Sequence, residues 1–156
     1  MQPRPQDVDA VRRALHEARR ALAAGEVPIG AVVLDPAGEV IGVGPNAREA
    51  THDPTAHAEV VALRAAAARL GTWRLDGCTL AVTLEPCPMC AGAAWLSRVE
   101  RVGFGAWNEE YGAAGALWDV VRDRRLNHRP EVVSGVLAEE CSGLLADFFA
   151  ARRAAD

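Results

Sequence analysis

The chain contains no lysine. All 17 of its basic residues are arginine, a compositional bias that carries no function by itself. It also lacks any apolar run approaching the roughly 20 residues needed to cross a bilayer. Its first residues, Met1-Gln2-Pro3-Arg4-Pro5-Gln6-Asp7, hold no hydrophobic segment of a signal peptide, so neither membrane insertion nor secretion is expected. Cysteine is sparse, and the four present do not form the even, spaced pattern of a disulfide framework. A reducing, cytoplasmic setting is therefore expected. Nor is there an excess of positive charge: the formal net charge is −4, which excludes a globally polyanion-seeking surface and leaves only local patches for nucleic acid. Repeats, linkers and low-complexity stretches are missing too. The expectation is a single domain over residues 1–156, long enough to bury a core without disulfides.

Two short segments carry chemistry. Thr55-Ala56-His57-Ala58-Glu59 puts an imidazole and a carboxylate two residues apart, and Leu84-Glu85-Pro86-Cys87-Pro88-Met89-Cys90 puts two thiols at i, i+3 behind a proline. No second Cys-x-x-Cys and no His-x-His accompanies them, so a closed four-ligand structural zinc site is not indicated. Three ligands, His57, Cys87 and Cys90, leave a coordination position open, which is the arrangement of a catalytic zinc centre. Glu59 stays free for proton transfer. Either half-motif alone is weak, whereas His-x-Glu followed by Pro-Cys-x-x-Cys is the signature of zinc deaminases. Zinc held this way lowers the pKa of a bound water from about 15.7 toward about 7, and Glu59 beside it would shuttle the proton.

Local patterning places these segments. An amphipathic helix is predicted over 6–24, with Val8, Val11, Leu15, Ala18 and Leu22 on one face. Strands are predicted over 29–34 and 39–43 around the turn Asp35-Pro36-Ala37-Gly38. Asp53-Pro54-Thr55 reads as a helix start, with His57 and Glu59 in the opening turns and Val60, Leu63, Ala67 and Leu70 as the apolar stripe. Cys87 falls at an N-cap, Pro88 at the first position of a helix over 88–97, and Cys90 one turn on. Helix N-termini favour thiolates. Strands over 79–84, 101–105 and 131–136, a short helical segment over 117–122 and a terminal helix over 138–153 complete the reading. Alternating strands and helices imply an α/β three-layer (α/β/α) architecture.

The sequence resembles the cytidine deaminase-like superfamily and, within it, the bacterial tRNA-specific adenosine deaminases. The likeness runs through 26–32, Asn46, 53–59, 84–93, 112–115, Asn127-His128-Arg129 and the Phe148-Phe149 terminal helix. The zinc motifs alone specify the superfamily; the Asn-His-Arg loop and Phe-Phe-x-x-Arg-Arg helix point to the tRNA branch. The resemblance implies a three-layer fold on a mixed five-stranded central sheet, one Zn2+ per subunit, a homodimer, and a tRNA anticodon stem-loop as partner. It implies hydrolytic conversion of adenosine to inosine at the wobble position, of an arginine tRNA by expectation. By the same resemblance Asn46 would hydrogen-bond the flipped adenine. Val27, Leu84 and Pro86 would line its pocket, and the Ala58 N–H would position it. Asn108, Arg129, Phe148, Phe149, Arg152 and Arg153 would meet the RNA by charge and stacking.

Taken alone, these residues also have plainer readings. Asn46 suits an Asx turn, Phe148 and Phe149 suit an apolar face with Leu144 and Leu145, and Arg152-Arg153 a solvated terminus. Cys78 and Cys141 read as buried thiols. One stretch departs from the family. Where a basic residue and an aspartate commonly follow Phe104-Gly105-Ala106, this chain has Trp107-Asn108-Glu109-Glu110-Tyr111. Discrimination among RNA, DNA and flanking bases is therefore expected to differ. The rival readings are a deaminase of a free base or nucleoside (guanine or cytosine), a deaminase of single-stranded DNA, and a non-catalytic zinc-stabilised RNA-binding module. The last gives Glu59 no role.

Overall fold

A computed structural model describes residues 1–156. The strands β1 (Gly30–Leu34), β2 (Val40–Pro45), β3 (Thr79–Leu84), β4 (Arg101–Ala106) and β5 (Glu131–Val133) form one sheet in the order β2-β1-β3-β4-β5. β1 runs antiparallel to β2 and β3, while β3, β4 and β5 run parallel. The sheet is mixed and five-stranded, as the resemblance implies. Its strands read as nearly unbroken apolar runs because both faces are covered.

Strand alternation divides the core into two. Ala31, Val33, Leu80, Val82, Val102 and Phe104 pack with α3 (Ala58–Leu70) and α4 (Pro88–Leu96) on one face. Val32, Ala81 and Val133 pack with α1 (Pro5–Ala23) and α5 (Ala138–Ala155) on the other. A short α2 (Arg48–Thr51), not anticipated from sequence, lies in the loop before α3. Asp7 and Arg101 form a buried two-pronged ion pair at 2.9 Å that ties the start of α1 to β4.

The seating of α3 matters most for function. Ala58, Ala62 and Ala66 form its buried stripe, spaced one turn apart. Opposite them are Gly42 and Gly44 of β2. A Cβ at Gly42 would lie 2.4 Å from the Ala62 carbonyl oxygen, and one at Gly44 would lie 2.1 Å from that of Ala58. Small residues on both sides bring the helix backbone down onto the strand.

Four expectations are corrected. The helix begins at Ala58, with His57 at the N-cap, rather than at Asp53 or Thr55. Asp53 Oδ1 instead accepts from the Thr55 N–H and hydroxyl, closing a separate turn. The buried stripe is also rotated: Leu63 is shared with the expected one, but Val60 and Ala67 are only half-buried and Leu70 is exposed, because alanine-to-glycine contact outweighs side-chain size here. Residues 117–122 form no helix. The Leu117 and Trp118 N–H groups bond the Gly112 carbonyl, and Val120 N–H bonds that of Ala113, giving a tight loop with a bridge between Ala114 and Asp119. β5 stops at Val133, short of the expected 136, and Gly135 turns the chain at φ 73°.

Gly44→Ala should destabilise the protein by about 1–3 kcal/mol through overpacking and lower its zinc content. Gly92→Ala, where an added methyl meets nothing within 4 Å, should leave both intact. Thermal unfolding and metal analysis of the purified variants check this.

Candidate metal centre and active-site cavity

Two helix starts converge on one point. His57 is the N-cap of α3 and Cys87 the N-cap of α4, both in extended backbone, and neither uses its side chain as a cap. Their donor atoms are thus free to meet a third group. Cys90, fully buried, is one turn into α4. His57 Nδ1 lies 3.5 Å from each sulfur, and all three ligand atoms fall within 4.8 Å of one another. Tetrahedral zinc with Zn–S near 2.3 Å and Zn–N near 2.05 Å would set each S···N edge at about 3.6 Å. The spacing fits that ion, and the soft sulfur-and-imidazole donor set selects for it.

Electrostatics favours a cation here. Hydrogen bonds from Cys90 and then His57 bring the Cys87 thiol down to about 4, so it is a thiolate. The same hydrogen bond and burial push Cys90 up. His57 is raised chiefly by its bond to Cys87. Glu59, 4 % exposed, is pushed up to about 7 by burial. A divalent cation beside it would draw that value back down, leaving a carboxylate able to take and return a proton near neutrality.

A cavity of about 220 Å³ opens beside this cluster. Val27, Ile29 and Leu84 supply apolar walls, and His57, Ala58, Glu59 and Cys87 its chemical end. Two asparagines face it with unpartnered buried amide atoms. Asn46 gives its Nδ2–H to the Val27 carbonyl at 3.2 Å, which leaves Oδ1 as a free acceptor. Asn108 Oδ1 accepts from the Tyr111 N–H at 3.2 Å, which leaves Nδ2 as a free donor. Such atoms cost about 1–3 kcal/mol each unless water or a ligand satisfies them.

Of the residues singled out from sequence, Val27, Asn46, His57, Ala58, Glu59, Leu84, Cys87, Asn108 and Phe149 line the cavity. Cys90 is fully buried against His57 and does not line the cavity. Pro86 is buried, and its carbonyl holds the Ala113 N–H at 2.8 Å. A wider groove continues past Trp107–Tyr111 to Phe149 and Arg153. Phe148 lies half-buried under the Arg152 guanidinium, 5.3 Å from its ring centre. Arg129 is exposed and does not line the cavity. Its neighbours anchor it elsewhere, with Asn127 accepting from Trp95 Nε1 and His128 meeting the Val99 carbonyl. Cys78 and Cys141 are buried and free, as expected.

Sequence reasoning assigned no role to Ile29, Arg48, Glu85 or Tyr111, which also line the cavity. Only position flagged them: Arg48 lies in the polar loop, Glu85 directly before the Pro-Cys motif, and Tyr111 in the atypical stretch. The buried Glu26 carboxylate accepts from the Glu49 and Ala50 N–H groups and pins α2, whose Arg48 lines the cavity.

The family described as the cytidine and deoxycytidylate deaminase zinc-binding region matches residues 4–106. The chain belongs to this family. Its relatives include the tRNA-specific adenosine deaminase of Bacillus subtilis, 52% identical over 144 residues, covering 92% of this chain and 89% of that protein. The enzyme of the same name from Haemophilus influenzae is 50% identical, covering 94% and 85%. A solved structure from work on A-to-I editing by tRNA:A34 deaminases superposes with a TM-score of 0.83 at 39% identity, covering 88% of this chain and 99% of that one. A guanine deaminase from Nitrosomonas europaea superposes at 0.81 with 26% identity, covering 96% and 87%. The deaminase family binds zinc, and His57, Cys87 and Cys90 are the group here that could hold it.

Cys90→Ala should therefore bind far less zinc than the parent. Glu59→Gln should keep about one zinc per chain yet lose about 10²–10⁴-fold in turnover. Metal analysis and single-turnover kinetics on the two variants separate ligand from proton carrier.

Proposed function

We propose that this chain deaminates adenosine to inosine at the wobble position of a tRNA anticodon, with zinc as cofactor. The observation that carries the reading is the open three-donor cluster of His57, Cys87 and Cys90 beside buried Glu59, at the closed end of a base-sized cavity. The substrate follows from relatives about half identical over nine-tenths of the chain, whose activity is tRNA-specific adenosine deamination.

His57, Cys87 and Cys90 hold the ion, which when bound supplies the Lewis acidity that makes water nucleophilic near neutral pH. Glu59 takes one proton from the attacking water and gives it to the ring nitrogen, then takes the second proton from the added hydroxyl and gives it to the departing amine. Water adds at the amine-bearing carbon, ammonia leaves, and the ring gains a carbonyl oxygen. Asn46 Oδ1 accepts a hydrogen bond from the base, and the Ala58 N–H, unpaired at the first turn of α3, donates one. Val27, Ile29 and Leu84 exclude water from the flanks. Pro86 shapes the pocket through the loop it anchors. Phe149 offers a stacking face at the mouth, with Phe148, Arg152 and Arg153 along α5 toward the backbone phosphates. Arg129 meets the stem-loop from farther out.

The protein acts as a homodimer in the cytoplasm. Supporting the dimer is an apolar groove of about 320 Å³ between α3 and α4, bordered by exposed Trp73 and Leu96. Apolar patches of this kind mark association sites, and sedimentation of the purified protein at monomer mass would contradict it.

Purified protein should form inosine in an arginine-tRNA anticodon stem-loop bearing adenine at the wobble position, and release no ammonia from free adenosine, cytidine or guanine. Ammonia from a free base alone would leave the metal chemistry standing and overturn the substrate. Asn108 replaces a family aspartate with a neutral amide. Asn108→Asp should therefore shift the ratio of rates on matched RNA and DNA stem-loops. An unchanged ratio would remove Asn108 from backbone discrimination.

A further inference from the structure

Glu85 has no part in the proton path, yet it is 1 % exposed. Its carboxylate is taken up by one loop. Oε1 accepts from the Asn108 N–H at 3.2 Å, and Oε2 accepts from the Ala114 and Ala116 N–H groups at 3.0 Å each. The same loop closes on the adjoining backbone, since Glu85 N–H bonds the Ala106 carbonyl and Ala113 N–H bonds that of Pro86. Gly112 makes room: a Cβ there would stand 2.4 Å from Glu85 Cδ and 2.5 Å from Oε1. The residue after Pro86 is Cys87. One three-residue segment therefore carries both a metal donor and the anchor of the opposite cavity wall.

We propose that Glu85 is a positioning residue that sets the substrate-facing wall, Asn108 and Tyr111, at a fixed distance from the metal donors. Deleting the anchor leaves His57, Glu59, Cys87 and Cys90 in place but releases Asn108, which lines the cavity and whose buried Nδ2–H has no partner in the protein. A carboxylate is required because three donors point at it. In Glu85→Gln, one oxygen can still serve Ala114 and Ala116, but the amide nitrogen then opposes the Asn108 N–H, donor against donor. The isosteric change thus frees the Asn108 end selectively. Gly112→Ala perturbs the same contact from the other side by pushing on the carboxylate.

This inference rests on the stem-loop reading of the cavity. The test compares Glu85→Gln and Gly112→Ala with the parent by steady-state kinetics on the anticodon stem-loop, zinc content, and amide hydrogen exchange over residues 107–116. The expected result is a KM raised about tenfold, the worth of one well-placed hydrogen bond. With it should come kcat within about threefold, full zinc, and faster exchange confined to the loop. Faster exchange with an unchanged KM, or a loss of active fraction alone, would reduce Glu85 to a structural brace and overturn the proposal. If either variant does not fold, the other carries the comparison. A parent protein inactive on the stem-loop counts against the substrate reading alone. The same KM comparison is then made on the free base it deaminates, with the same outcomes deciding.

Discussion

The close approach of α3 to β2 is the constraint on which the site depends. Glycine at 42 and 44 faces alanine at 58, 62 and 66, so helix and strand backbones meet with nothing larger than a methyl group between them. The N-terminus of α3 is thereby held at the sheet, where β3 delivers Cys87 to the start of α4. Two N-termini thus point into one volume. Each contributes unpaired N–H groups and a partial positive charge, which favour the Cys87 thiolate. Had α3 stood off the sheet by the width of a methyl, the 3.5 Å spacing from His57 to the sulfurs would be lost.

Around this centre the protein uses buried carboxylates in two distinct ways. Burial pushes Glu59 up to about 7 and a metal held by the neighbouring donors would draw it back down, which suits a group that must exchange protons. Glu26 and Glu85 are equally buried but are occupied by backbone N–H groups. Each holds a loop that faces the cavity. Buried polar groups are tolerated only when satisfied, and the atoms left over, Asn46 Oδ1 and Asn108 Nδ2, are those that face the substrate space. Unsatisfied atoms at the cavity alone are the mark of a site completed by its ligand.

Much of this was legible from residue order. The metal donors and Glu59 are written in two short motifs, and the boundaries of β3 follow from an apolar run that ends at Leu84, just before Glu85-Pro86. What escaped has specific causes. The helix start moved from Asp53 to Ala58 because the Asp53 side chain closes its own turn on Thr55, a local alternative to capping that reads the same in sequence. The rotated stripe of α3 escaped because alanine scores low on any hydrophobic pattern, and its value here depends on the glycines across from it. The absence of a helix over 117–122 is a tertiary effect: the N–H groups of Leu117, Trp118 and Val120 are drawn to carbonyls at 112 and 113. Glu85 and Arg48 escaped because a lone charged residue in a loop shows no periodicity. Their positions on the cavity appear only once the chain is folded.

X-ray absorption at the zinc edge of the purified, metal-loaded protein tests the central claim most directly. The account predicts two sulfur scatterers near 2.3 Å and two nitrogen or oxygen scatterers near 2.0–2.1 Å, one of the latter disappearing when His57 is replaced by alanine. Three or four sulfurs around the metal, or an edge unaltered by loss of His57, would contradict a three-ligand centre with a position open for chemistry.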